Sequence, residues 1–329
     1  MCISQLDLDS GGNVIDENAR RVPDAPFVPM VVAMRVYRDL GPAPSPRPAT
    51  PVTDRNNLRK LLAFVAGEPW YDDNMPLRMD LGMVGGALVV LRREPRSWGE
   101  GHPGYGTAFK QYVTQPSPGG QGRPGYKRVV RGRLGPADGS GLGLLVRYDA
   151  DAVVAGESVA EAEGGVDDLS AAMFGLGLSE QAAGAGVSDL VAAEVVGDWG
   201  QAGWASVEMA SRSYRKDLDA GSKWSQMALS GTEWLVHGRH DRGVFASVEQ
   251  RSPGSLEEEV APRVRDPTKG LLSLLRELAE LVEQVPEERI AVVWREPKAP
   301  LELYGMRGGA PGLSDSAKES LRAMPEEDV

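Results

Sequence analysis

Apolar positions recur along the chain with two periods, and these divide it into strands and helices. Leu77–Val84 and Ala87–Arg93 flank Gly85-Gly86, and a two-residue glycine loop supplies the positive φ of a tight turn, so the pair predicts a β-hairpin. Further apolar or alternating runs predict strands over Lys127–Leu134, Leu142–Ala150, Leu190–Val196, Trp204–Ala210, Glu233–Arg239, Val244–Gln250, Arg289–Arg295 and Leu301–Met306. Val28–Tyr37 reads as an earlier strand. Helical spacing places Leu58, Leu61, Leu62 and Val65 on one face of Arg55–Ala66, with Thr53 or Asp54 as N-cap and Gly67 as C-cap. A second helix begins near Gly106, a third carries Trp224 and Gln226, and a fourth runs from Pro267 to about Gln284 with Leu271, Leu274, Leu275, Leu278, Leu281 and Val282 on its apolar face. Hairpins outnumber strand–helix–strand crossovers. The pattern predicts an α+β fold of mixed, mostly antiparallel sheets flanked by helices.

Five prolines fall in residues 41–53, a run read as a solvated connector because proline lacks the donor N–H and fixes φ. The organisation expected is an N-terminal segment over 1–53, a single domain over 54–307 and a polar tail over 308–329. Within the domain, about 151–189 is rich in Ala, Gly, Glu and Ser and reads as a low-complexity insertion. With 40 Gly and 24 Pro in 329 residues, a loop-rich α+β protein is favoured over a helical bundle. The net charge of −11 disfavours passive attachment to nucleic acid or anionic membrane. Cys2 is the only cysteine, which excludes intramolecular disulfides and cysteine-based zinc sites. No apolar run reaches membrane-spanning length and no basic-then-apolar leader is present, so the expected location is intracellular, nuclear or cytoplasmic, with no membrane partner.

Common catalytic motifs are missing: no Walker A, HExxH or GxSxG sequence occurs. The glycines over Gly139–Gly143 lie between two strands and read as a hairpin loop; Asp72-Asp73 and Asp167-Asp168 begin no DDxxD array. His237 and His240 lie at a strand end where side chains alternate, and read as surface or hydrogen-bonded histidines. More informative is the succession Glu194, Glu208 and Lys223-Trp-Ser-Gln226. Two strands each present a carboxylate and a following helix presents an amide; in metal-dependent nucleases, carboxylates on neighbouring strands hold Mg²⁺. The competing reading is outward strand carboxylates and a helix-surface amide. The linker GDWGQAG predicts that the two strands are antiparallel neighbours. Lys110, Lys127, Arg128, Arg131 and Arg133 cluster in sequence and are candidates for RNA phosphates; the alternative is a solvated strand face.

The order of GYGTAFKQYVT, WASVEMASRSYRK and KWSQMALSGTEWLVHGRHDRGVFASVE resembles the RNA 5′-end decapping exonuclease (DXO-like) family, in a divergent fungal branch, over roughly residues 55–300. That family carries an arginine before a central hairpin, a helix ending Phe-Glu, a Glu-x-Asp strand, a Glu-x-Lys strand and a Trp-Ala-Gln helix, and its nuclear members partner an exoribonuclease. On this resemblance the arginine falls near Val84–Gly86, where none exists, and the Phe-Glu glutamate falls on Lys110. The Glu-x-Asp pair falls on Glu194 and Val196, the Glu-x-Lys pair on Glu208 and Ala210, and the glutamine on Gln226. Two Mg²⁺ ions carry +4, which two glutamates beside a lysine do not offset.

The resemblance therefore implies a catalytically degenerate member, with Glu194, Glu208 and Gln226 as vestiges, no cofactor, no small-molecule substrate, another protein as partner and at most weak RNA binding. Two alternatives stay open: a Mg²⁺- or Mn²⁺-dependent RNA 5′-end hydrolase with metal on Glu194 and Glu208, and a non-catalytic RNA-end-binding protein.

Overall fold

A computed structural model describes residues 13–14, 50–68, 77–84, 86–93, 98–99, 104–114, 126–136, 140–154, 191–195, 205–285 and 288–306. The strands are β1 (Asn13–Val14), β2 (Pro51–Asp54), β3 (Leu77–Val84), β4 (Ala87–Arg93), β5 (Trp98–Gly99), β6 (Tyr126–Leu134), β7 (Leu142–Ala150), β8 (Ala152–Val154), β9 (Val191–Val195), β10 (Ala205–Ser213), β11 (Trp234–Asp241), β12 (Val244–Arg251), β13 (Arg289–Trp294) and β14 (Glu302–Met306). The helices are α1 (Arg55–Ala66), α2 (Gly106–Val113), α3 (Ala220–Ala228) and α4 (Pro253–Glu283). One sheet has eight strands in the order β14-β13-β3-β4-β2-β7-β6-β9; a second has four, β12-β11-β10-β8; β1 and β5 form a separate pair. Most pairings are antiparallel, but β2 runs parallel to β4 and β7, and β10 parallel to β11. The α+β expectation with mixed, mostly antiparallel sheets holds.

The hairpin around Gly85-Gly86 forms as predicted, with Val84 opposite Ala87 and Gly86 at φ 76°. The last residues of the proline-rich run behave differently from the expected connector. Pro51 opens β2, which runs in the middle of the large sheet: Pro51 and Val52 pair with β4, and Val52, Thr53 and Asp54 with β7. Proline is tolerated at the first position of a strand, and every later residue of β2 can donate. Thr53 Oγ1 donates to Val90 O at 2.9 Å, and Asn57 Nδ2 donates to Thr53 Oγ1 at 2.9 Å, locking β2 to the first turn of α1. The early strand expected at 28–37 lies outside the described residues.

Helix α4 also differs: it starts at Pro253, not at Pro267. Ser252 caps it by accepting from Ser255 N, and Pro253 occupies a first-turn position where no N–H is needed. Pro262 and Pro267 lie inside it. Each costs the helix about 3 kcal/mol, which burial of Leu256, Val260, Val264, Leu271, Leu275, Leu278 and Val282 along the full 31 residues offsets.

The main core lies between one face of the large sheet and α1, α3 and α4. A second core forms where Phe109 and Val113 of α2 meet Val207, Met209, Val236 and Phe245 of the small sheet. Gly238 permits this contact; a Cβ there would stand 2.5 Å from Phe109 Cε2 and 2.8 Å from Phe245 Cε1. No helix among the described residues is long and apolar enough to cross a membrane.

Candidate functional site: a charge cluster between the two sheets

Val207 and Met209 turn toward α2, so the alternation of β10 sends Glu208 to the opposite face, where α1 and α3 converge. Glu208 is buried and held from two sides: Lys223 Nζ donates to Oε1 at 2.8 Å and Arg55 Nη1 to Oε2 at 3.2 Å. Lys223 reaches it because Asp219 caps α3 through Ser222 N, and Trp224, Met227 and Ala228 anchor the helix in the core. Arg55 is the first residue of α1, and its guanidinium lies 5.2 Å over the Tyr148 ring. Beside it Arg147 grips Asp54 through two bonds of 2.7 and 2.9 Å, which fixes the start of the helix.

The second carboxylate is Asp151, at the junction where the chain leaves β7 of the large sheet and enters β8 of the small one. Met209 N donates to Asp151 Oδ2 at 2.7 Å, and Lys110 Nζ of α2 donates to Oδ1 at 2.5 Å. Burial, then the charge of Glu208, raises the Asp151 pKa, and Lys110 opposes this. Burial alone would raise Glu208 too, but the Arg55 and Lys223 cations overcome it and hold its carboxyl at about 2. Burial lowers the Lys223 pKa against the pull of Glu208. Arg55, Lys110 and Lys223 against Glu208 and Asp151 leave the cluster with one excess positive charge. Behind it, Tyr148 OH donates to Ser206 Oγ at 2.9 Å and Ser206 Oγ to Glu233 Oε2 at 2.7 Å, a buried polar chain joining the two sheets.

Of the residues singled out in the sequence, Glu208 and Lys110 belong to this cluster, and Gln226 lies three residues after Lys223 on the same side of α3, with a buried Oε1 that accepts no hydrogen bond. Glu194 stands on a strand of the other sheet. Strand β9 pairs with β6, opposite Arg131, in the large sheet, while β10 pairs with β8 and β11 in the small one. The expected antiparallel pairing of the Glu194 and Glu208 strands is therefore replaced by that of β8 with β10, because the chain changes sheets at Asp151. Of the acid-x-acid sequence Asp149-Ala-Asp151, immediately before β8, Asp151 is the acid that bonds to β10, through Met209 N. That repeat was visible in the sequence; what hid it was its position at the end of a nine-residue strand.

The basic residues do not form one strip. Arg128 is buried and faces Tyr148 and Glu233, whereas Arg131 and Arg133 lie on the other face of β6. Lys127 pairs opposite Asp149. His237 and His240 are both buried, not at the surface: His240 stacks edge-on against Tyr105 at 4.8 Å, and His237 lies on the α3 side of β11 beside Ala210. Two residues of the cluster, Arg55 and Lys223, were not singled out as site residues from the sequence, although both bond Glu208. No sequence signal marks either, because both come from helices whose placement depends on tertiary packing.

The donor set does not fit a two-metal centre. Both carboxylates are already closed on ammonium or guanidinium groups, and among the described residues no group of three or more His, Cys, Asp or Glu is arranged to hold a metal ion.

This architecture is the decapping-exonuclease fold. Candida albicans Rai1 in complex with pU5-Mn²⁺ is similar at TM-score 0.51 and 12% identity, over 90% of this chain and 77% of that one. K. lactis Dxo1 in complex with manganese is similar at TM-score 0.52 and 10% identity, over 89% and 75%. A mutant S. pombe Rai1 in complex with 3′-FADP is similar at TM-score 0.51 and 12% identity, over 84% and 76%. No curated protein matches the chain. Residues 2–303 match the family described as Domain of unknown function (DUF8563), and the chain belongs to that family.

Proposed function

We propose that the protein is a catalytically silent relative of the decapping exonucleases, retained as a protein-binding scaffold in RNA metabolism. One observation carries this reading: the buried Glu208 and the half-buried Asp151 are neutralised by the protein's own Arg55, Lys223 and Lys110. A divalent cation entering the cluster would have to displace buried ion pairs and sit beside three cations at close range, each interaction repulsive by several kcal/mol at an effective dielectric of about 20. The complexes of Rai1 with pU5 and 3′-FADP support a link to RNA or nucleotide partners.

The test is turnover of capped, triphosphorylated and monophosphorylated RNA in Mg²⁺ or Mn²⁺, beside Glu208→Ala. No turnover in either folded protein is the expected outcome. Turnover that Glu208→Ala abolishes would establish the alternative, a metal-dependent RNA 5′-end hydrolase. That second reading has one observation in its favour, the convergence of Asp151 on Glu208.

A further inference from the structure

Strand β10, helix α3 and strand β11 form a β–α–β unit with the two strands parallel, so both carboxyl ends emerge on the same side of the small sheet. In sheets with parallel strands this end is the usual place for a ligand. Here Arg212 stands in register beside Arg239, one side chain on each strand and on the same face. The turn that follows β10 presents Tyr214, Arg215 and Lys216 to solvent, and Tyr214 N donates to His240 O at 3.0 Å, tying that turn to the end of β11. The Arg239 guanidinium lies 5.2 Å over the Tyr214 ring, which remains 41% exposed. Arg242 extends the patch from the β11–β12 turn, where it adopts φ 46°.

Two features distinguish this patch from an ordinary solvated face. First, like charges held side by side on adjacent strands repel, and here neither arginine has a carboxylate partner among the ion pairs of the described residues; Asp241, the last residue of β11, lies 4.0 Å from Arg242, and Glu249 of β12 stands opposite His237. Second, the same face leads inward: His237 is buried on the face that carries Arg212 and Arg239, and burial lowers its pKa, with Glu249 opposing and Arg239, Arg212 and Lys223 adding to the fall. The patch is local, in a chain of net charge −11.

We propose that the carboxyl end of the β10–β11 pair is a binding platform for single-stranded nucleic acid, with Arg212, Arg215, Lys216 and Arg239 on phosphates and Tyr214 stacking a base. Guanidinium forks match phosphate oxygens, and an exposed ring backed by a cation accepts any base without reading sequence. An acidic peptide would use the cations but gain nothing from the exposed ring. The platform is independent of the silent-cleft reading, since it needs neither metal nor a 5′ phosphate.

The experiment uses the full chain, no divalent ion and a fluorescein-labelled 12-nucleotide RNA with a 5′-hydroxyl, followed by anisotropy at 50, 100 and 200 mM salt. Four phosphate contacts on a single strand predict a slope near −3 in log affinity against log salt, a loss of about 50-fold over that range. Arg212→Gln/Arg239→Gln should weaken binding and reduce the slope by about 1.4. Arg215→Gln/Lys216→Gln, at exposed turn positions that leave folding intact, should reduce it similarly. Tyr214→Leu should weaken binding about five- to 150-fold with the slope unchanged. Absence of binding at 50 mM salt, an unchanged slope in Arg215→Gln/Lys216→Gln, or tighter binding of a glutamate-rich peptide of equal charge would each overturn the proposal. Turnover of RNA in the previous assay would leave it standing, so the two readings fail separately.

Discussion

Removing the Lys223 ammonium tests whether the charge cluster is a closed unit. The Lys223–Glu208 contact is 2.8 Å long, with the two side chains 12% and 7% exposed. At that distance and an effective dielectric of 20, the attraction is about 6 kcal/mol before the cost of burying both groups. Losing one partner of a buried pair typically costs about 3–5 kcal/mol because the other charge is left unpaired. Arg55 remains 3.2 Å from the second carboxylate oxygen, so Lys223→Met should cost less, about 2–4 kcal/mol. Glu208→Gln leaves Arg55, Lys110 and Lys223 facing Asp151 alone and should cost a similar amount. The double variant restores the wild-type excess of one positive charge, so the two losses should not add. Urea unfolding of the four proteins at pH 7, with constant m-values, gives the coupling energy. A value of about 2 kcal/mol or more is expected; additivity within about 0.5 kcal/mol would refute the reasoning.

Three further outcomes follow. Glu208 lies at about 2 in the folded chain against an ordinary 4.5, so it contributes about 3 kcal/mol above pH 4.5 that disappears as pH falls toward 2; urea midpoints across pH 2–5 should show this limb, and Glu208→Gln should flatten it. Asp151, whose pKa is raised, has the opposite sign, its contribution being present at low pH and lost as pH rises; Asp151→Asn, which keeps an acceptor for Met209 N, should therefore be milder than Glu208→Gln at pH 7. Gly238→Ala should destabilise by about 2–3 kcal/mol in the same assay, because its Cβ meets two packed phenylalanine rings.

Much of the fold was legible because local chemistry and tertiary structure agree. The Gly85-Gly86 hairpin, the β6–β7 hairpin and the amphipathic stripe of α1 follow from turn residues and period alone. Pro51 misled because proline reads as a breaker, and only the neighbouring strands reveal that its missing N–H falls at the harmless first position of β2. The first half of α4 was hidden for a related reason: two prolines interrupt the pattern, but burial along one face carries the helix through them. At the site, Glu208 was found because it stands mid-strand in an apolar run. Glu194 was preferred to Asp151 as its partner because a short linker suggested a hairpin, whereas the neighbour of β10 comes from 50 residues earlier by a change of sheet. Sequence proximity carries no information about such crossovers.

The cluster's own composition suggests the last test. Lys110 lies on α2 where the resemblance places a glutamate, and it is the most exposed member of the cluster, at 40%, so it can be changed without opening the core. Lys110→Glu converts an excess of one positive charge into an excess of one negative charge and sets a third carboxylate beside Asp151 and Glu208. Without metal, that variant should lose about 1–2 kcal/mol, the ion pair with Asp151 being replaced by repulsion across partly exposed side chains. With 1 mM Mn²⁺ it should recover: a site with Kd near 10 μM would return about 2.7 kcal/mol, and the wild-type protein should not respond. Urea midpoints of both proteins with EDTA and with Mn²⁺ measure this directly. A wild-type midpoint that rises with Mn²⁺ as much as the variant's would show that Lys110 does not bar the cation, and the proposed silence of the cleft would lose this support.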